Sequence, residues 1–138
     1  MALTHSTMLP LGTYLPSFEL PDVTSGKMFS SSQLSGRQGV LVMFICRHCP
    51  YVVHVQEELS RLGSDYYDEG LGMGASSSND VYHYPDDHPD RLKAMAQELR
   101  FRFPYCYDGR IRLFYLLYLV VCWRAFRTRS RKTAFCTN

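Results

Sequence analysis

The stretch Gly39-Val-Leu-Val-Met-Phe-Ile-Cys46-Arg47-His48-Cys49-Pro50 decides the fold. Residues 39–45 form an unbroken apolar run rich in branched side chains, the pattern of a strand buried on both faces. After Pro50 the period changes. Val52, Val55, Leu59, Leu62 and Tyr66 recur at spacings of three and four, which sets them along one stripe of an α-helix from about residue 50 to 68. Pro50 suits the first turn, where no intrahelical N–H bond is lost, Gly70 suits the exit, and Cys49 falls at the N-cap. Strand, four-residue turn and helix follow one another with no spacer.

Upstream, residues 17–36 read as a β-hairpin around Thr24-Ser-Gly-Lys27, with Phe18 and Leu20 before the turn and Met28 after it. Gln33 to Gly36 resemble a short helical turn ended by glycine. Downstream, Leu71-Gly-Met-Gly-Ala-Ser-Ser-Ser78 is read as a second strand, a poor one by propensity because it holds two glycines and no branched residue. Pro89 then opens a second helix to about Arg100, with Leu92, Met95 and Leu99 on one face. Strands alternating with helices imply an α/β fold with a parallel sheet.

With 138 residues, 46% of them hydrophobic and 20% charged, the chain fits one globular domain. The longest apolar stretch, Ile111 to Trp123, contains an arginine and spans 13 positions, short of the roughly 20 needed to cross a membrane. The N-terminus has neither a basic lead-in nor an unbroken apolar core, so a cytoplasmic chain without a secretory signal or transmembrane segment is expected. Five cysteines, odd in number and unevenly spaced, do not form the disulfide scaffold of a small secreted protein.

Chemistry concentrates in Cys46-Arg47-His48-Cys49. A helix N-terminus carries about half a positive charge and free N–H donors, which favour thiolate over thiol and bring a cysteine there below the free value of about 8.5. Arg47 and His48 add positive charge beside it. Two cysteines three apart at such a turn can close a small disulfide ring, one attacking a substrate disulfide and the other resolving the mixed disulfide. Two buried structural cysteines are the plain alternative. Zinc wants four ligands, and the chain offers no second Cys-x-x-Cys or His-x-x-x-His, with His54 isolated and the remaining cysteines distant. A c-type haem needs histidine directly after the second cysteine, where Pro50 stands. Cys106 reads as a small buried hydrophobe, and Asn79-Asp80 and Asp86-Asp87 as strand-exit and helix-entry residues.

These residues resemble the thioredoxin-like superfamily, and within it the redoxin branch of alkyl hydroperoxide reductases and thiol-specific antioxidant proteins. The resemblance spans roughly residues 10–108. It is carried by LGTYLPSFELPDVTSGKMFSSSQLSG, LVMFICRHCPYVVHVQEEL, SSSNDVYHYPDDHPDRLKAMAQEL and FRFPYCYD, with the Cys-x-His-Cys-Pro turn as its specific part. It implies thiol–disulfide exchange in which Cys46 attacks and Cys49 resolves, with Arg47, His48 and Pro50 tuning the thiolate and neither metal nor cofactor required. The partners it implies are a protein or small-molecule disulfide, or a peroxide, and an external thiol reductant, with no specific nucleic acid. The alternative is a peroxiredoxin-like peroxide reductase with Cys49 as the peroxidatic thiol. Cys49-Pro50 suits that pattern, but Cys46 stands where those enzymes carry threonine and Val42 where they carry proline.

The resemblance also implies a C-terminal half of two antiparallel strands, a cis-proline and a closing helix, and this half is missing or replaced. No proline follows Pro104, and residues 111–126 contain no Gly, Pro, Asn or Asp to turn a hairpin. Charge breaks at the same place: residues 1–108 carry 8 Lys/Arg against 13 Asp/Glu, and residues 109–138 carry 7 against none. We therefore divide the chain into an incomplete redoxin domain, 1–108, and a basic apolar tail, 109–138. The tail is a truncated end, an out-of-frame remnant that leaves an inactive fragment, or a basic binding module.

Overall fold

The computed structural model describes residues 12–34, 36–110 and 133–137, the last by backbone alone. Strands β1 (Glu19–Pro21) and β2 (Met28–Ser30) pair antiparallel, Glu19 opposite Ser30. Asp22 builds the connection between them. Its carboxylate accepts from the backbone and hydroxyl of both Thr24 and Ser25, and Gly26 takes the left-handed φ of 71° that the turn demands.

The main sheet has β3 (Gly39–Phe44), β4 (Leu71–Ser77), β5 (Tyr105–Tyr107) and β6 (Thr133–Thr137) in the order β5-β4-β3-β6, every neighbouring pair parallel. Helix α1 (Pro50–Tyr67) joins β3 to β4, and α2 (Pro89–Glu98) precedes β5. The hairpin, central strand, first helix, second strand and second helix thus lie where the sequence places them. β3 serves two cores by simple alternation. Met43 and Ile45 pack with Val52, Met73, Leu92, Met95 and Tyr105, while Val42 and Phe44 pack with Leu20, Leu34 and Cys106 on the opposite face. Each such side chain contributes about 1.5–3 kcal/mol when fully buried.

Glycine in β4 has a steric reason. A Cβ on Gly72 would stand 2.6 Å from the Leu34 carbonyl oxygen, and one on Gly74 would stand 3.0 Å from the Leu34 side chain. The strand tolerates poor propensity because the segment after the hairpin lies directly against it.

The face of α1 differs from the expected stripe. Val52 and Gly63 are buried, and Leu59 and Leu62 are half-buried, but Val55 and Tyr66 are exposed. The buried line passes instead through Gly63, where a Cβ would meet the Phe103 ring at 2.9 Å, and Ser60, whose hydroxyl donates to the Leu99 carbonyl. This close approach rotates the helix away from the apolar stripe that periodicity selects.

Two strands were not anticipated. β5 is three residues long, too short to show a period, and is held by pairing with β4 and by Val23 N–H donating to the Tyr105 carbonyl at 2.8 Å. β6 lies in a segment with no core pattern, yet it pairs with β3 in parallel, Val40 opposite Thr133 and Phe44 opposite Thr137. Pairing satisfies the backbone along the open edge of β3, a need that side-chain patterning does not report. Among the described residues one parallel strand thus stands where two antiparallel strands were implied. The apolar run 111–123 lies outside the described residues.

Candidate active site at the end of the central strand

Cys46 follows β3 and Cys49 caps α1, with Pro50 as the first helical residue. Both cysteines are free and half-buried. The strand's register fixes where the turn begins: Ile45 N–H donates to the Ser76 carbonyl at 3.1 Å, and the Ile45 carbonyl accepts from the fully buried Tyr105 hydroxyl at 3.1 Å.

The organising residue is Asp87, which the sequence alone marks only as a helix-entry residue. It is completely buried. Its Oδ1 accepts from Arg47 N–H at 2.7 Å and His48 N–H at 3.2 Å, and its Oδ2 accepts from the Asn79 amide at 2.8 Å and lies 2.5 Å from His48 Nδ1. A buried carboxylate needs this much compensation, since unpaired it would be strongly penalised. The His48 ring also stacks on Tyr84, centroids 4.3 Å apart and planes 13° from parallel. The Arg47 guanidinium donates to the Arg91 carbonyl at 3.0 Å, and Arg91 pairs with Asp86. The turn is therefore clamped to the segment leading into α2. Only the acidic dipeptide signalled this; a partner forty positions away leaves no local spacing to read.

The electrostatics correct the expectation of a favoured thiolate at Cys46. Burial pushes this thiol up to about 11, and the Asp87 charge adds to the rise. Hydrogen bonds from the Cys49 backbone and the Asn79 side chain favour the thiolate but are outweighed. Arg47 and His48 do not reverse the balance: the Arg47 guanidinium reaches to the Arg91 carbonyl and the His48 ring to Asp87. Cys106 is pushed up to about 12 by burial and then by Asp22, as suits a core thiol. Tyr105 is raised well above its ordinary value by burial and then by Asp87 and Cys46.

Cys46, His48 and Asp87 each present one ligand atom within 4.8 Å of the others, a trio the ligand count from sequence missed. A metal would have to displace existing bonds, since both Asp87 oxygens already serve two partners each, and three donors fall short of a closed zinc site. His54 is exposed on α1. A separate cavity, lined by Phe29, Leu34, Tyr67, Met73, Arg102 and Phe103, lies by the start of β4 and includes no cysteine. Among the described residues no helix is long and apolar enough to cross a membrane.

A family model described as the AhpC/TSA family matches residues 11–127. The chain belongs to this family. Solved structures place this AhpC/TSA member among thioredoxin-like folds. An uncharacterised conserved protein from Geobacillus kaustophilus is 25% identical at a TM-score of 0.75, with 96% of this chain and 95% of that chain covered. A hypothetical protein of Sinorhizobium meliloti is 31% identical, also at 0.75, covering 81% of this chain and 61% of that one. A secreted disulfide oxidoreductase of Mycobacterium tuberculosis is similar in fold, with a TM-score of 0.61 at 15% identity over 85% of this chain and 81% of its own. No curated protein matches.

Proposed function

We propose that this AhpC/TSA-family chain is a thiol–disulfide oxidoreductase working through Cys46 and Cys49. The observation that carries the reading is the pair of free thiols bracketing one turn, Cys46 at the end of the central strand and Cys49 at the cap of α1. Cys46 gives its proton to solvent and attacks one sulfur of a substrate disulfide. That bond breaks, its other sulfur leaves and takes up a proton, and Cys46 is left in a mixed disulfide. Cys49 gives up its proton and attacks the Cys46 sulfur, releasing the second substrate thiol and closing a Cys46–Cys49 disulfide. Two electrons have then passed to the substrate, and an external thiol reductant restores the dithiol. A cytoplasmic setting accompanies the reading, on the odd cysteine count and the free Cys106 thiol.

A second reading, peroxide reduction at Cys49, rests on its place at the cap before Pro50 and on the family. One experiment separates the two. The oxidised protein is digested with trypsin, which should yield peptides 38–47 and 48–61 joined by a disulfide. Turnover of a small disulfide is then compared with turnover of hydrogen peroxide, using one reductant. Disulfide turnover should be faster and should vanish in Cys46→Ser. Faster peroxide turnover that survives Cys46→Ser would overturn the proposal in favour of Cys49.

A further inference from the structure

The loop after β4 contributes a residue that the exchange chemistry above does not use. Asp87 has no exposed surface and receives Arg47 N–H, His48 N–H, the His48 ring and the Asn79 amide. Three of these four contacts come from the two residues between the cysteines. With four acceptor positions on an ionised carboxyl group, Asp87 has none left for a ligand; its geometry is that of a clamp. Tyr84, stacked on His48, closes the outer side of the same clamp.

We propose that Asp87 is a positioning residue for the dithiol, fixing the Arg47-His48 turn and setting a buried carboxylate against the Cys46 sulfur. This rests on the reading of Cys46 and Cys49 as the redox pair. The groups facing Cys46 are Asp87 and Asn79 from the segment after β4, His48 and Cys49 from its own turn, and Tyr105 from β5. Asp87 acts by charge against the thiolate, and Asn79 acts by hydrogen bonding in its favour. The two residues touch each other, yet their removal should move Cys46 in opposite directions. A restrained thiol would keep Cys46 from reacting indiscriminately with small oxidants, and a substrate that covers or displaces the His48–Asp87 contact would release it.

The test uses the reduced full chain and iodoacetamide, with the pH varied from about 7 to 12. Trypsin places Cys46 in peptide 38–47 and Cys49 in peptide 48–61, so each thiol is followed separately. Below its midpoint the alkylation rate follows the thiolate fraction, and a shift of one pH unit is about tenfold in rate. Asp87→Asn should lower the Cys46 midpoint and speed its alkylation at pH 8 by about tenfold, while the high-pH plateau changes little. Asn79→Ala should raise the midpoint and slow the reaction. Loosening of the turn alone would accelerate both variants and lift the plateau. Shifts in the same direction, or an unchanged midpoint in Asp87→Asn, would overturn the proposal. If Asp87→Asn does not fold, Asn79→Ala decides: a midpoint that stays or falls refutes it. None of these readouts needs disulfide exchange, so absence of a Cys46–Cys49 disulfide in the oxidised wild type would refute the redox reading separately.

Discussion

Replacing Tyr105 with phenylalanine removes one oxygen from the centre of the molecule and nothing else. The Tyr105 ring has no exposed surface, and its hydroxyl donates to the Ile45 carbonyl at 3.1 Å, one residue before Cys46. Phenylalanine fills the same volume, so no large cavity opens, and the loss is confined to a buried carbonyl left without this donor. Such an orphaned group costs about 1–3 kcal/mol. For a chain of this size that corresponds to a fall in Tm of about 3–10 °C. The pH dependence gives a second handle. Burial, then the charges of Asp87 and Cys46, hold the folded phenol well above its ordinary value. The unfolded state therefore releases its proton first, near pH 10, and wild-type stability is whole below that pH and declines above it. The variant lacks this term, so its deficit should narrow above about pH 10. Thermal and urea melts of both proteins between pH 7 and 11 measure the effect. An unchanged Tm at pH 7, or a deficit that widens in alkali, would refute the reasoning.

Asp22→Asn should weaken the fold at pH 7 and lose its effect in acid. Burial raises this carboxyl, but hydrogen bonds from Ser25 and Thr24 outweigh it and leave it below the ordinary value, so its contribution is present above about pH 4 and disappears as pH falls through the lowered value; urea midpoints from pH 7 to 2 that run parallel for the two proteins would contradict this. Gly72→Ala should cost about 1–3 kcal/mol by overpacking, because the new methyl meets the Leu34 carbonyl at 2.6 Å; an unchanged urea midpoint would show that the segment moves aside freely.

What the sequence discloses depends on how far apart the interacting residues lie. β3, the Cys49 cap, the Pro50 start and both helices were legible because each is written in consecutive residues or a short period. The exposed Val55 and Tyr66 show where periodicity fails: five apolar positions marked a helix, but Gly63 against Phe103 decided which side faces inward. β4 was legible despite its glycines, whose reason lay in Leu34, nearly forty residues earlier. β5 and β6 were not, since backbone pairing selects them and three or five residues carry little pattern. At the site, the two cysteines and their turn could be read directly. Asp87 could not, because a carboxylate before a helix looks the same whether it caps that helix or reaches back to the turn at Cys46. The direction of the Cys46 shift was lost with it.

The bond from Tyr105 to Ile45 joins residues sixty positions apart, and this sets an order of events during synthesis. Chains grow at about 5–20 residues per second, so roughly 3–12 seconds pass between the appearance of the turn and the arrival of this partner. Over that interval neither Tyr105 nor its edge strand is present to enclose Cys46, and for the first part of it Asp87 is absent as well. The nascent Cys46 then has the ordinary thiol acidity of about 8.5 and is more open to oxidants than it will be in the finished molecule. Residues downstream of the turn thus supply the cover that Cys46 has in the finished molecule, and a ribosome paused before residue 105 would prolong its exposed phase.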